Sequence, residues 1–371
     1  MTEISILSLP MEVIHRIFDF LDFQTILFSI RSVCKRFQDA ANQYNRLHVS
    51  LEPKQKEIIK SLLSILQPGN VTELSLTKTF PSSLPLQQFT QLSSLNIRKI
   101  RDSDLEQIFK NSNTNRLTSL LIESSEEEHA NTWELISKIL QRTNLQNLCV
   151  PNLDFGIKDV SWPVQYGLQK LVIHNCKFSE YFQILDQLPF LQSLSLDDCS
   201  KDKDQADIKP KTFHTALKSL TINEGSFSSS DFNLLIEPIP ELRHLKLVSG
   251  VYRKFDSMFD GSYWQEIMQT KLLNLKKLEL FIRHREDHRI EPVIATFATP
   301  FWLNEKQWIV YCSRALSDST ILYTMPTNVK YKERFQCEIS TIDPTCRFTF
   351  TDGVTSTEVE KFRLKISFVS I

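Results

Sequence analysis

The chain has 371 residues, 41% of them hydrophobic, enough for a sizeable core and for more than one folding unit. Its 43 Lys and Arg nearly cancel its 44 Asp and Glu, so no global charge selects nucleic acid or an anionic membrane as partner. The N-terminus lacks the basic start and apolar run of a secretory signal, and the apolar stretches elsewhere are too short to span a bilayer. The seven cysteines are odd in number, scattered and without a CxxC pair, which fits free thiols in a reducing compartment better than a disulfide framework or structural zinc. The cytoplasm or nucleus is the expected location.

Residues 4–47 form a first compact unit. Leu9 and Pro10 precede Val13, Ile14, Ile17, Phe18 and Leu21, which are at helical spacing. Pro10 suits a first helical turn and Glu12 a helix N-terminus. Asp22 to Gln24 break this helix. A second apolar pattern then runs through Ile26, Leu27 and Ile30 and is completed by Val33, Cys34, Phe37, Ala40 and Ala41. Three short helices bury too little surface to be strongly stable alone, so the unit must lean on a partner, on the following domain, or on both. By periodicity alone it reads equally well as a cap that seals a repeat array.

The run LPMEVIHRIFDFLDFQTILFSIRSVCKRF resembles the F-box motif through Leu9-Pro10, Glu12-Val13, Ile17-Phe18, Leu21 and Val33-Cys34-Lys35-Arg36-Phe37. Thr25-Ile26 stands where that family often has Asp-Leu, and Phe37 where Trp is commoner; both keep an apolar residue at the apolar place. The resemblance implies docking on the small adaptor subunit of a cullin–RING ubiquitin ligase. Leu9, Pro10, Val13, Ile17, Phe18, Leu21, Val33, Cys34 and Phe37 would contribute, some of them filling the module's own core instead. Residues 48–70 are expected to be a helical linker and N-terminal cap.

From residue 71 the pattern apolar-x-x-Leu-x-apolar recurs. Its copies begin at Val71, Leu92, Leu117, Leu145, Leu168, Leu191, Leu217, Leu242 and Leu275. Every interval but the last, which is 33 residues, fits the leucine-rich-repeat period of about 20–29. Two copies extend to LQKLVIHNC and LQSLSLDDC, making Cys176 and Cys199 structural residues of the turn that leaves each strand. Each copy supplies one parallel strand. Apolar residues three or four apart mark helical returns at 104–109, 132–140, 182–188 and 231–236. In the long last interval FDSMFDGSYWQEIMQ reads as a larger return. The charged stretches 126–128 and 201–211 read as solvated loops.

After Arg283 the period fades. Residues 301–371 are expected to cap the array: an aromatic segment at Phe301, Trp302 and Trp308, a strand at 319–325 that continues the series, and later strands at 335–342, 347–351 and 362–369. Asp352-Gly353 suits a tight turn between strands. The expected fold is α/β: a three-helix F-box module followed by a leucine-rich-repeat horseshoe over 71–300 with a C-terminal cap.

Within each copy the leucines point inward and the intervening residues outward, because side chains alternate on a strand. The outward, concave face is polar and mixed in charge, with no continuous basic stripe for a phosphate backbone. Its candidate substrate-binding residues are Arg98, Lys170, His174, Asp197, His244, Lys246, Lys277 and Glu279. The cations toward its C-terminal end suit a partner with an acidic patch. No phosphate loop, HExxH or nucleophile elbow is present, and the pair His284 and His288 lacks a third ligand. Catalytic residues, metal ligands and cofactors are therefore expected to be absent. The family resemblances point to a substrate-recognition adaptor of an SCF-type ligase, with the small adaptor subunit, a cullin and a protein substrate as partners. A non-degradative scaffold of the leucine-rich-repeat type is the alternative.

Overall fold

The computed structural model describes residues 6–51, 65–77, 86–100, 102–110, 116–124, 132–140, 144–151, 167–200, 213–225, 228–252, 257–284, 290–308, 310–315 and 319–324. The described residues form one twelve-stranded sheet. Ten strands run parallel and in chain order: β1 (Leu47–Leu51), β2 (Val71–Thr77), β3 (Ser94–Ile100), β4 (Ser119–Ser124), β5 (Asn147–Val150), β6 (Lys170–Lys177), β7 (Ser193–Ser200), β8 (Ser219–Gly225), β9 (His244–Tyr252) and β10 (Lys277–His284). Each sequence copy from Val71 onward supplies one of β2 to β10. The result is a repeating strand-and-return, solenoid-like sheet.

The register shows why the repeat is a leucine repeat. Leu74, Leu95, Leu120, Leu148, Leu171, Leu194, Leu220, Leu245 and Leu278 pair in one row across the sheet. All of them are buried, as are the apolar residues that open each copy. Burial of one such leucine is worth about 1.5–3 kcal/mol, and it is available only when the neighbouring repeats are in place. The backbone adds a second periodic link. One carbonyl per repeat accepts two N–H groups from the next repeat: Gln146 from Gln169 and Lys170, Gln169 from Gln192 and Ser193, Gln192 from Lys218 and Ser219, Lys218 from Arg243 and His244. Cys176 and Cys199 are buried, reduced and paired in register near the ends of β6 and β7, still within the strands rather than in the turn that leaves them.

Two helices precede the sheet: α1 (Met11–Phe18) and α2 (Lys35–Gln43), joined by helical turns at Thr25–Ser29 and Ile30–Ser32. The returns supply α3 (Asp102–Lys110), α4 (Thr132–Leu140), α5 (Phe178–Gln187), α6 (Ser229–Ile236), α7 (Gly261–Thr270) and α8 (Ile290–Phe297). Four expected helical returns thus become α3 to α6, and the long aromatic return becomes α7 with Met258, Phe259 and Trp264 buried beneath it. Ser228 caps α6 by accepting from Asp231 N–H at 3.2 Å, while Asp231 accepts from Ser228 N–H at 3.2 Å. The Tyr181 hydroxyl donates to the Leu235 carbonyl at 2.9 Å, tying α5 to α6.

His214 is a joint between successive returns. Its Nδ1 accepts from Leu217 N–H at 3.1 Å, so Nε2 carries the proton and donates to the Leu188 carbonyl at 2.8 Å. Its backbone N–H donates to Pro238 at 2.6 Å. One buried ring thereby satisfies backbone groups on two neighbouring repeats.

The ends of the sheet differ from expectation. Residues 47–51 are a strand rather than part of a helical linker, so the sheet begins one strand before the first recognised repeat. Leu47, Val49 and Leu51 point inward in strict alternation, one residue shorter than the repeat template, and the register shifts between Leu47 and His48. Of the rest of the expected linker, 52–64 lies outside the described residues, and Pro68–Asn70 form a single helical turn before β2. At the other end β12 (Ser319–Thr324) does not continue the parallel series. It pairs antiparallel with β10, and β11 (Val310–Ala315) pairs antiparallel outside it. A return of only a few residues after β11 permits a hairpin, not a parallel crossover. Before the hairpin, a helical turn at Phe301–Lys306 buries Phe301 and Trp302. The expected loops at 126–128 and 201–211, the turn at Asp352-Gly353 and the strands after 325 lie outside the described residues.

At this C-terminal end the closest packing is between α7 and α8. The Gly261 N–H donates to Thr296 Oγ1 at 2.7 Å, and a side chain at Gly261 would run into the Thr296 carbonyl, with Phe297 N at 2.9 Å. Gly261→Ala is therefore expected to lower the unfolding free energy by about 2 kcal/mol in a denaturant titration. Gly69→Ala, whose new methyl would meet only Thr90 Oγ1 at 3.7 Å, should stay within about 0.5 kcal/mol of the parent. Equal midpoints for the two variants would contradict this packing.

Candidate functional site

Helix α1 is apolar on two faces. Pro10 precedes it with φ −56°, the value a helix start requires, and Glu12 sits in its first turn. Ile14 and Phe18, four residues apart, are buried. The Phe18 ring meets Tyr44 edge-on at 5.5 Å between centroids, and His15 reaches the Ala40 carbonyl at 3.0 Å. This face joins the same continuous core that runs under the sheet. On the other face Val13 and Ile17, also four apart, are exposed. Ile6, Leu7, Pro10, Phe20 and Val33 are exposed too, Phe20 to 90% and Val33 to 68%. So many large apolar side chains left exposed within one short helical module are the usual mark of a protein-binding surface.

The nine expected docking residues therefore separate. Pro10, Val13, Ile17 and Val33 are on the surface, while Leu9, Leu21, Cys34 and Phe37 are partly buried within the module. Phe18, at 2% exposure, is one of those that fill the core instead. Ile6, Leu7 and Phe20 were not expected. Phe20 falls outside the three-and-four spacing because α1 has already ended at Phe18, so its exposure is set by a turn.

The module is fastened to the sheet by polar contacts as well. The Tyr44 hydroxyl donates to Asp19 at 2.8 Å, and Arg46 reaches the second oxygen of the same carboxylate at 3.3 Å. Burial, aided by the Asp19 carboxylate, pushes the Tyr44 phenol up to about 12. Asn70, just before β2, donates to the Asn42 carbonyl at 2.7 Å. Within the module Arg36 donates to the Leu9 carbonyl at 2.6 Å. Asp22 accepts from the Thr25 N–H and hydroxyl, both at 2.8 Å, opening the second helical segment. The Thr25 N–H bond is the chief cause that lowers the Asp22 carboxyl.

The second candidate surface is the outward face of the sheet. Lys170, Ser193, Ser219, His244 and Lys277 lie in one row from β6 to β10, and Lys246 lies beside Glu279 in the next. His174 is 3.5 Å from Asp197, which also accepts from Asn223 at 2.7 Å. Arg98 is remote from these, on β3, in register with Glu123. The charges at the C-terminal end are largely satisfied within the face. His244 at 3.0 Å and Lys277 at 2.5 Å share one oxygen of Glu279, whose side chain is only 8% exposed. Burial is the largest single influence on this carboxyl and raises it, but Lys277 and then His244 outweigh it and hold it below the ordinary value. A smaller cluster at the other end joins Glu73 to His48 at 3.3 Å and to Asn96 at 2.9 Å. Among the described residues no group of three or more His, Cys, Asp or Glu is placed to hold a metal ion, and no helix is long and apolar enough to cross a membrane. His288 lies outside the described residues.

Residues 6–48 match the family model of the F-box domain. This chain therefore carries an N-terminal F-box domain, a non-catalytic adaptor module made for protein interaction. The match covers the helical module and stops within β1. No curated protein matches the chain.

Because the folded state lowers the Glu279 carboxyl, its contribution to stability is present above the unfolded value of about 4.3 and is lost as pH falls through the folded value. Glu279→Gln should be less stable than the parent at pH 7, and the gap should close as the pH is taken below about 4. Denaturant titrations across that range check this; a gap that does not change with pH would contradict the ion-pair account.

Proposed function

We propose that this chain is the substrate-recognition subunit of a cullin–RING ubiquitin ligase of the SCF type. Its F-box domain docks on the small adaptor subunit and through it on the cullin. Its sheet is read as a leucine-rich-repeat horseshoe whose outward, concave face holds a protein substrate, in the cytoplasm or nucleus. The observation that carries the reading is that Pro10, Val13, Ile17, Phe20 and Val33, all within the F-box domain, are exposed. A helix that already buries Ile14 and Phe18 has no folding reason to expose two more large apolar residues, Val13 and Ile17, on the neighbouring face, about 100° round its axis. Burial of such anchors under a partner is how helix-face interfaces gain most of their energy.

The contribution to the reaction is positional. Holding a substrate beside the charged conjugating enzyme raises its effective concentration and fixes its orientation. No residue of this chain is assigned a chemical step. The mixed charge of the outward face favours a protein partner over nucleic acid.

One observation favours a second reading, a non-degradative leucine-rich-repeat scaffold. The helical module shares one core with the sheet and lies against β1, as a simple solenoid cap would. That reading does not account for the exposed face of α1.

The shared core also decides how the test is built. Deleting the module would strip the cover from β1, so point changes on the exposed face are preferable. The full chain is expected to retain the purified small adaptor subunit, with the cullin joining through it. The double change Val13→Asp and Ile17→Asp should weaken retention at least ten-fold, about 1.4 kcal/mol or more, without shifting the melting temperature. Absence of binding by the parent, or equal binding by a folded double variant, would remove the ligase reading and leave the scaffold.

A further inference from the structure

A cleft of about 530 Å³ opens between α7 and the helical turn Phe301–Lys306. That volume is in the range of ligand sites, roughly 300–1,000 Å³. Gln265 and Gln269 line the cleft from α7, and Thr299, Phe301, Asn304 and Glu305 line it from the turn and the residues just before it. None of these residues lies on a strand, so the cleft is separate from the outward face of the sheet. The turn itself is π-helical, and isolated π turns are frequent at functional sites.

The lining is rich in oxygen acceptors that the fold does not use. The Thr299 hydroxyl oxygen is buried and has no hydrogen-bond partner among the described residues. A group left in that state costs folding free energy, and a ligand that bonds to it removes the cost. The side-chain amides of Gln265, Gln269 and Asn304 likewise have no protein partner among the described residues. Gln265 and Gln269 are one helical turn apart, with Cβ atoms about 5–6 Å from each other, so both amide oxygens can reach one small group. Glu305 supplies the carboxylate of the lining. Its ion partner Lys306 is 3.8 Å away, and that ammonium also lies over the Phe301 ring at 5.4 Å and the Trp308 ring at 6.0 Å. Glu305 is the more exposed of the two, 60% against 21%, and keeps room for a second cation. Solvent serves the exposed Gln269, Asn304 and Glu305, but it does not reach the Thr299 oxygen.

We propose that this cleft receives the guanidinium of an arginine side chain presented by a partner protein. A guanidinium has five N–H donors and no acceptor, which matches three amide oxygens, one hydroxyl oxygen and one carboxylate. A lysine ammonium has three donors on a compact, strongly hydrated head and leaves part of that set unmet. An anionic ligand would meet Glu305 and be repelled. The flat, weakly hydrated guanidinium also suits the Phe301 side of the cleft. This contact is additional to the docking and substrate surfaces proposed above.

The test is a proton–nitrogen NMR titration of the full chain with three capped amino acids at millimolar concentration. They are N-acetyl-arginine amide, its lysine analogue, and its citrulline analogue, which keeps the shape of arginine without the charge. Arginine should shift the side-chain amide signals of Gln265, Gln269 and Asn304 and bind about three-fold or more tighter than the other two. The same arginine inside a capped glycine pentapeptide should bind no more weakly. Glu305→Gln should weaken arginine about three-fold, and Thr299→Val about two-fold or more. Thr299→Val should also melt no lower than the parent, because the hydroxyl it removes has no partner in the fold. Equal binding of arginine and either analogue, shifts that miss the three amides, or loss of binding in the pentapeptide would overturn the proposal. So would unchanged affinity in both folded variants, or a lower melting temperature for Thr299→Val. None of these results bears on retention of the ligase adaptor.

Discussion

A row of buried leucines in a parallel sheet is complete in the middle and open at both ends. Every repeat from β2 to β10 puts its leucine against the leucines of its neighbours, and each gains only because those neighbours are present. The first and last strands lack one neighbour each, so something other than a repeat must cover them. The two non-repetitive parts of the molecule answer that constraint. At the C-terminal end an antiparallel hairpin, two tryptophans and a tightly seated glycine close the core. At the N-terminal end the F-box domain joins the same core through Ile14, Phe18 and Tyr44.

The N-terminal solution joins structure to function. A module of two short helices and the turns between them cannot hold itself together strongly, and its buried residues join the core that runs under the sheet. Once α1 has one face on the core, its orientation is set, and Val13 and Ile17 are presented on the neighbouring face, about 100° round the helix. Tyr44, Asp19, Arg46, Asn42 and Asn70 keep the module in register with the first strands. On the proposed receptor reading these contacts have a use: they would fix the direction from α1 to the strand face, and so the place at which a held substrate is presented. On that reading capping and docking are two uses of one helix.

The repeated parts were legible in the sequence and the singular parts were not. Nine leucine copies reported nine strands because each copy states its burial pattern directly, and the apolar spacing of the returns reported their helices for the same reason. Strand β1 escaped the template because its inward residues alternate as Leu47, Val49 and Leu51, without the two-residue gap. The alternation itself was the available signal. The direction of β12 is not encoded in its own residues; it follows from a connection too short for a crossover. His214 gave no periodic signal, since its role depends on carbonyls supplied by two other returns. Phe18 and Val13 look alike in a helical pattern, and only the position of the core separates buried from exposed. The outward cations were identifiable by strand alternation, but their mutual neutralisation through Glu279 was not, because it depends on pairing between residues 33 and 35 apart, such as His244 with Lys277 and Glu279.

The central claim is that one face of α1 seals the sheet while the other is reserved for a partner. Amide hydrogen exchange of the full chain, alone and with the small ligase adaptor added, tests it most directly. Slowed exchange confined to residues 6–38, with β2 to β10 unchanged, is the result the account predicts. Unchanged exchange in that segment, or protection spread along the strands instead, would contradict it.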